Sequence, residues 1–129
     1  FCHLLNTLAS RYTAPPALED LTHTLSDCCA PLLKLGVCNL MLSNGDWLFT
    51  LCTSKLHWIT RRAPFGPAQL SDLELEVDFK QHTTANDVVT VIATEPLTSN
   101  EHWQAYEPGE WMLWRKGEIV HKGVLPTGQ

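Results

Sequence analysis

Val37-Cys38-Asn39-Leu40-Met41-Leu42-Ser43, then Asn44-Gly45, then Asp46-Trp47-Leu48-Phe49-Thr50-Leu51-Cys52, reads as two strands around a tight turn. Asn-Gly favours the positive φ angles of a two-residue hairpin turn, because neither residue pays heavily for a left-handed backbone. Such a turn pairs Leu42 with Trp47, Leu40 with Phe49 and Cys38 with Leu51. All six then share one face, so register and burial agree.

Upstream the period changes from two to 3.6. Phe1, Leu4, Leu5, Leu8 and Tyr12 mark one face of a first helix. Thr13-Ala14-Pro15-Pro16 ends it and starts a second, with Leu18, Leu21, Leu25, Cys28 and Leu32 as its apolar stripe. Pro31 does not fit a straight helix and predicts a kink or a frayed last turn. Gly36 provides a left-handed stop after Lys34-Leu35. The chain begins on Phe1-Cys2-His3-Leu4-Leu5, inside an apolar pattern, which gives the expectation of a truncated start.

Downstream the period stays at two. Leu56 to Arg62 is a strand ended by Ala63-Pro64-Phe65-Gly66-Pro67. Leu73, Leu75, Val77 and Phe79 alternate with Glu74, Glu76, Asp78 and Lys80, a half-exposed strand. Val88 to Ala93 is continuously apolar but for one Thr, which predicts a central strand buried on both faces. Pro108-Gly109 turns into Glu110 to Arg115, and Lys116-Gly117 turns into Glu118 to Lys122, a final hairpin. Val124 to Gln129 reads as a loose tail. Two helices followed by six or seven strands indicate an α+β layered architecture in one domain, not a doubly wound sheet.

The 129 residues carry nine Lys and Arg against fourteen Asp and Glu, a net charge of −5. That balance argues against nucleic acid and anionic membrane as partners. No apolar run is long enough to span a bilayer, and no charged-then-apolar stretch reads as a signal segment, so neither is expected from these residues. Five cysteines, an odd number with no Cys-x-x-Cys pair, fit reduced thiols in a cytoplasmic protein.

Candidate chemistry is sparse. The histidines show neither His-x-x-x-His nor His-Glu-x-x-His spacing, so no metal site is expected. Asp72, Glu74, Glu76 and Asp78 stand roughly 6.6 Å apart along a strand and read as a solvated face. Cys2, Cys28, Cys29 and Cys38 lie among apolar neighbours. Cys52 is near His57 in sequence, with nothing to bring the two together. Strand alternation puts His57, Ile59 and Arg61 on one face and Trp58, Thr60 and Arg62 on the other. One arginine could grip a carboxylate in a fork, or both could pair with the nearby acidic strand. Thr94-Glu95-Pro96-Leu97 is either a tight turn or a strand end that reaches a site.

Four stretches together resemble a known family: Leu40 to Gly45, Leu56 to Gly66, Asn86 to Leu97, and Pro108-Gly109-Glu110-Trp111. They are similar to the C-terminal half of YafJ-like class II glutamine amidotransferases, which have an N-terminal-nucleophile (Ntn) hydrolase fold. The resemblance runs from Leu35 to His121. It implies that residues 1–129 are the C-terminal part of a single amidotransferase domain, the distal part of an αββα sandwich.

The resemblance further implies that the whole protein hydrolyses glutamine, or a γ-glutamyl amide, to glutamate and ammonia. The route is a γ-glutamyl thioester on an N-terminal Cys upstream of this chain, with no cofactor. No catalytic, cofactor-binding or metal-binding residue of the family can be carried onto this sequence. Cys2 falls within a helix and is not the nucleophile, and Asn44-Gly45 is a hairpin turn and not the oxyanion pair. His57, Arg61 and Thr94 remain as residues that shape the pocket indirectly. An ammonia-accepting enzyme is an expected but unspecified partner. A non-catalytic scaffold of the same fold, or a γ-glutamyl hydrolase of a small thiol peptide, are the alternatives.

Overall fold

The computed structural model describes residues 1–70, 76–78 and 84–126. Helix α1 spans Cys2–Arg11 and α2 spans Leu18–Cys29. Helix α2 starts later than Pro15-Pro16 allows, because Ala17 is still extended at ψ 150°. Glu19 and Asp20 occupy its first turn, where the helix dipole favours negative charge. Leu21, Leu25, Cys28 and Cys29 are buried, following the apolar stripe. Pro31 ends the α-helix and caps a separate 3-10 turn, Leu32–Lys34, so the kink falls where proline demands it. The two helices are tied through the buried hydroxyl of Thr24. It accepts from Arg11 Nη1 at 2.9 Å and bonds the Tyr12 hydroxyl at 2.7 Å.

Among the described residues nine strands follow: β1 Leu40–Ser43, β2 Leu48–Leu51, β3 His57–Arg62, β4 Pro67–Gln69, β5 Glu76–Asp78, β6 Val88–Ala93, β7 Gln104–Ala105, β8 Glu110–Arg115 and β9 Glu118–Val124. All pair antiparallel. A four-stranded sheet has the order β1-β2-β8-β9, a three-stranded sheet β6-β3-β7, and a small ribbon β4-β5.

The centre of the four-stranded sheet, β2 with β8, is buried on both faces. Leu42, Phe49, Leu51 and Leu113 meet Leu4, Leu21, Leu25 and Cys29 of the helices. The opposite face brings Leu48, Met112 and Trp114 against Trp58 and Ile92 of the second sheet. Trp58 and Trp114 meet edge to face with centroids 5.3 Å apart. The order is therefore helices, sheet, sheet. Each fully buried Leu or Phe at these seams contributes about 1.5–3 kcal/mol. Between the sheets lies a buried polar node. The fully buried Thr50 hydroxyl contacts the Tyr106 hydroxyl at 2.8 Å and the Met112 carbonyl at 3.2 Å, and it accepts from Trp114 Nε1 at 3.1 Å.

Several elements differ from the sequence expectation. The first hairpin pairs Leu42 with Phe49 and Leu40 with Leu51, two residues off the expected register. Asn44 does not close a two-residue turn. Its Oδ1 accepts from the N–H groups of Asp46 and Trp47, at 2.9 and 3.1 Å, and opens a four-residue loop. A shift of two preserves the face, so Leu40, Leu42, Phe49 and Leu51 still point to the helices.

Among the described residues, strand β6 is an edge of its sheet, not a central strand. Val89 is exposed, and the rest of the strand is half-buried. The apolar run reports what the strand can bury, not what this chain puts on it. The expected tail is not loose at its start: Val124 completes β9, and buried Leu125 donates its N–H to Gly109 O at 2.8 Å. Strands β4 and β7 were not foreseen. The expected strand Leu73 to Phe79 lies outside the described residues except for the backbone of β5. So do the side chains of Asp72, Glu74, Glu76 and Asp78.

Candidate functional site

Strand β3 organises the polar chemistry. Its first residue, His57, pairs with Ala93 at the end of β6. The chain leaving β6 therefore passes the imidazole, and His57 Nδ1 lies 3.0 Å from the Thr94 carbonyl. Lys55, just before β3, forms an ion pair with Glu95. The hydrogen bond from Lys55 holds the Glu95 carboxyl below its usual range. Both side chains are more than half exposed, so this pair adds little to stability.

Asn39 fixes the adjoining loop. Its Oδ1 accepts from the N–H of Thr53 at 3.0 Å and of Ser54 at 3.3 Å, and its Nδ2 donates to Lys55 O at 3.0 Å. His57, Thr94 and Glu95, read separately in the sequence, thus meet at one end of the second sheet.

Arg61 lies on the same face of β3, four residues on. Its fork is engaged: Nε donates to Glu101 Oε1 at 2.7 Å and Nη2 to Oε2 at 2.5 Å. Side-chain exposures of 14% and 18% make this the shielded ion pair of the described residues. Glu101 also accepts from Thr98 Oγ1 at 2.6 Å, and Thr98 accepts from Trp103 Nε1 at 2.8 Å. The bond from Arg61 is the main reason the Glu101 carboxyl titrates below its ordinary value. Arg62, on the opposite face, pairs with Glu118 of β9. Glu101 and Glu118 both lie outside the acidic strand that the sequence offered. Glu101 and Glu118 went unrecognised because each is more than 35 residues from its arginine and carries no local signal.

The thiols are placed for packing. Burial pushes the Cys29 thiol up to about 12, with Cys28 and Cys38 adding to the shift. Burial also raises Cys52, an effect that the backbone of Ser54 and Leu56 partly offsets. Cys28 is buried, Cys38 half-buried, and Cys2 exposed on α1. A thiol held protonated is a poor nucleophile at neutral pH. Among the described residues, no three His, Cys, Asp or Glu side chains group as metal ligands.

Among the described residues, cavities open on the surface. One of about 210 Å³ sits between the sheets, walled by Leu48, Trp114, Thr90 and Ile92 with Asp46 and Arg115 at its rim. Another, about 370 Å³, lies between the α1–α2 connection and the first hairpin loop, beside Tyr12, Pro16 and Trp47.

These features define an α+β protein in which a helical layer covers two stacked antiparallel sheets. Its polar groups fasten strand ends to one another. The chain matches the class II glutamine amidotransferases over residues 1–129 and belongs to that family. It is 49% identical to a putative glutamine amidotransferase, YafJ, of Escherichia coli, over 93% of this chain and 48% of that protein. It is 33% identical to a putative glutamine amidotransferase of Haemophilus influenzae, over 93% of this chain and 41% of that protein. A solved structure of a predicted glutamine amidotransferase from Pseudomonas aeruginosa superposes with a TM-score of 0.82. It is 54% identical and covers 94% of this chain and 48% of that one. The chain spans about half the length of the relatives it matches. No helix among the described residues is long and apolar enough to cross a membrane.

Proposed function

We propose that residues 1–129 form the C-terminal part of a single class II glutamine amidotransferase domain, whose catalytic groups lie in the part this chain does not span. The single observation that carries this is the family match along the full 129 residues, with relatives about twice as long. The helix–sheet–sheet order is consistent with three layers of an αββα Ntn-hydrolase sandwich. The fourth layer would lie on the outer face of the second sheet, where Ile59, Val91 and exposed Val89 stand.

In this reading an N-terminal cysteine outside the chain attacks the γ-amide of glutamine or a γ-glutamyl amide. Its own α-amino group, with a pKa near 8, takes the thiol proton. Ammonia or amine leaves, and water hydrolyses the γ-glutamyl thioester to glutamate. His57, Thr94 and Arg61 act at a distance by fixing the strand ends and the Thr98–Trp103 loop. No cofactor or metal takes part, the site of action is the cytoplasm, and the ammonia acceptor is a separate enzyme.

A glutamine-mimicking electrophile tests this on the complete polypeptide, read out by mass spectrometry. The expected result is one stoichiometric adduct on a terminal cysteine and none on Cys2, Cys28, Cys29, Cys38 or Cys52. Modification at any of those five, with a terminal cysteine untouched, would place the active site in this half. Residues 1–129 alone are expected to release no ammonia from glutamine.

A further inference from the structure

The cavity of about 370 Å³ forms where the end of α1, the connection 13–16 and the first hairpin loop converge. Leu8 and buried Leu21 close it on the helical side, and the rings of Tyr12, Pro16 and Trp47 form its walls. Small-molecule sites measure about 300–1,000 Å³ and set a few polar groups into apolar, often aromatic, walls. The size and the lining here match that description.

The walls are held before any ligand arrives. The Tyr12 hydroxyl bonds Thr24 Oγ1 at 2.7 Å and Asp20 O at 3.1 Å, so the phenol ring is pinned between the helices. Trp47 is fixed through its main chain. Its N–H donates to Asn44 Oδ1 at 3.1 Å and its carbonyl accepts from Ser43 Oγ at 2.6 Å, while the side chain packs against the helix–sheet core. Pro15 and Pro16 have fixed φ angles. A ligand that enters therefore orders little that is not already ordered, which favours affinity.

The lining also selects the ligand's chemistry. Among the described residues, none that lines this cavity is charged, although the chain carries a net charge of −5. A charged ligand would lose hydration with no opposite charge to replace it. Asn44 Oδ1 is committed to the loop, and the Tyr12 hydroxyl to the helices. The indole Nε1 of Trp47 and the amide Nδ2 of Asn44 have no hydrogen-bond partner among the described residues, and Trp47 Nε1 is not buried. Both are donors, so they call for an acceptor. Aromatic walls pair best with a flat ring, stacked or edge to face.

We propose that this cavity binds a neutral, flat ring compound that carries one hydrogen-bond acceptor, of the aromatic amide class. The ring lies against Tyr12 and Trp47, and the acceptor takes the indole N–H. The site goes beyond the amidotransferase reading and does not depend on it, because none of its groups has a part in that chemistry. Its walls come from α1, α2 and the β1–β2 loop, so an occupied cavity braces the helical layer against the first sheet.

Benzamide is the probe, titrated into the complete polypeptide and followed through the tryptophan indole N–H signals by NMR. Loss of one signal in Trp47→Phe identifies that of Trp47. It should move saturably, with a Kd on the order of 1 mM. Benzoate, a similar ring with a charge, should bind at least about tenfold more weakly. Trp47→Phe keeps a ring but removes the donor, and should weaken binding about fivefold, read from the Tyr12 ring signals. Ala9→Trp, at an exposed position on the cavity wall, should fill the site and remove binding from a spectrum that is otherwise native. Ala14→Trp, on the exposed connection, replaces it if that variant does not fold.

Absence of a saturable shift with benzamide overturns the proposal, as does equal binding of benzoate or binding that survives the filled cavity. A Trp47 N–H already shielded from solvent in the ligand-free complete polypeptide overturns it too, because the rest of the protein then covers the cavity. A proline-rich peptide that binds here more tightly than benzamide would make this a peptide groove and overturn the ligand class.

Discussion

Replacing Thr50 with valine adds apolar surface to an already buried site, and a transfer argument alone says it should stabilise the fold by about 0.8 kcal/mol per methyl-sized group. The structure says the opposite. Thr50 is fully buried, and Tyr106 and Trp114 around it are nearly so. With its own proton directed at the Met112 carbonyl, the Thr50 oxygen accepts from both the Tyr106 hydroxyl and Trp114 Nε1. Valine leaves both donors without a partner between two apolar sheet faces. Each orphaned donor costs about 1–3 kcal/mol, so the loss is about 2–6, and about 1–5 remains after the methyl gain. That is a large share of the 5–15 kcal/mol typical of a domain.

Thr50→Ser keeps the oxygen and loses one methyl, which should cost about 1 kcal/mol. Urea unfolding of the complete protein, followed by tryptophan fluorescence, ranks the three. The expected order is threonine, serine, valine. A valine variant as stable as the parent would refute the hydrogen-bond accounting.

Gly123→Ala should destabilise by about 1–3 kcal/mol through overpacking, since the new Cβ would stand 2.6 Å from the Trp111 ring, which also stacks on Phe49; a shifted Trp111 indole NMR signal reports it. Titration of the native protein with a thiol reagent at neutral pH should modify Cys2 first and Cys38 more slowly, with Cys28, Cys29 and Cys52 reacting only on unfolding.

Glu101 is depressed in the folded state, so its contribution is present above the ordinary carboxyl value of 4.5 and is lost as pH falls through the lower folded value; Glu101→Gln should flatten the stability profile in that acid window. Tyr106 is pushed up to about 12 by burial, so the protein should lose stability as pH rises from about 10 to about 12, and Tyr106→Phe should remove that slope.

Local chemistry made part of this fold legible. The 3.6-residue stripe of α2, the kink at Pro31, and the Lys116-Gly117 turn with φ of 50° and 77° follow from residue types a few positions apart. The first hairpin shows the limit. Parity was readable because alternate residues must share a face, but the register hinged on whether Asn44 used its backbone or its side chain to build the turn. Strand β6 shows a different limit. Its sequence describes an interior strand, and no local feature says whether the neighbour is in the same chain. The Arg61–Glu101 fork was hidden for a third reason: a carboxylate 40 residues away in a loop leaves no periodic trace. The resemblance to class II glutamine amidotransferases rested on several stretches taken together, and no single residue pattern here carries it.

The four-stranded sheet has a seam with kinetic weight. Its outer pairs, β1 with β2 and β8 with β9, join neighbours in sequence and can zip within microseconds. Its central pair, β2 with β8, joins residues 60 or more apart; the Trp114–Thr50 bond spans 64. Closing a loop of that length costs roughly 3–4 kcal/mol in chain entropy before any contact returns it. The two hairpins should therefore appear first as separate, fluctuating ribbons. The step that commits the molecule is their meeting along Phe49 and Leu113, with β3 to β7 folded back over the join. A nascent chain paused before Glu110 would hold one ribbon under its helices with nothing to lay beside it.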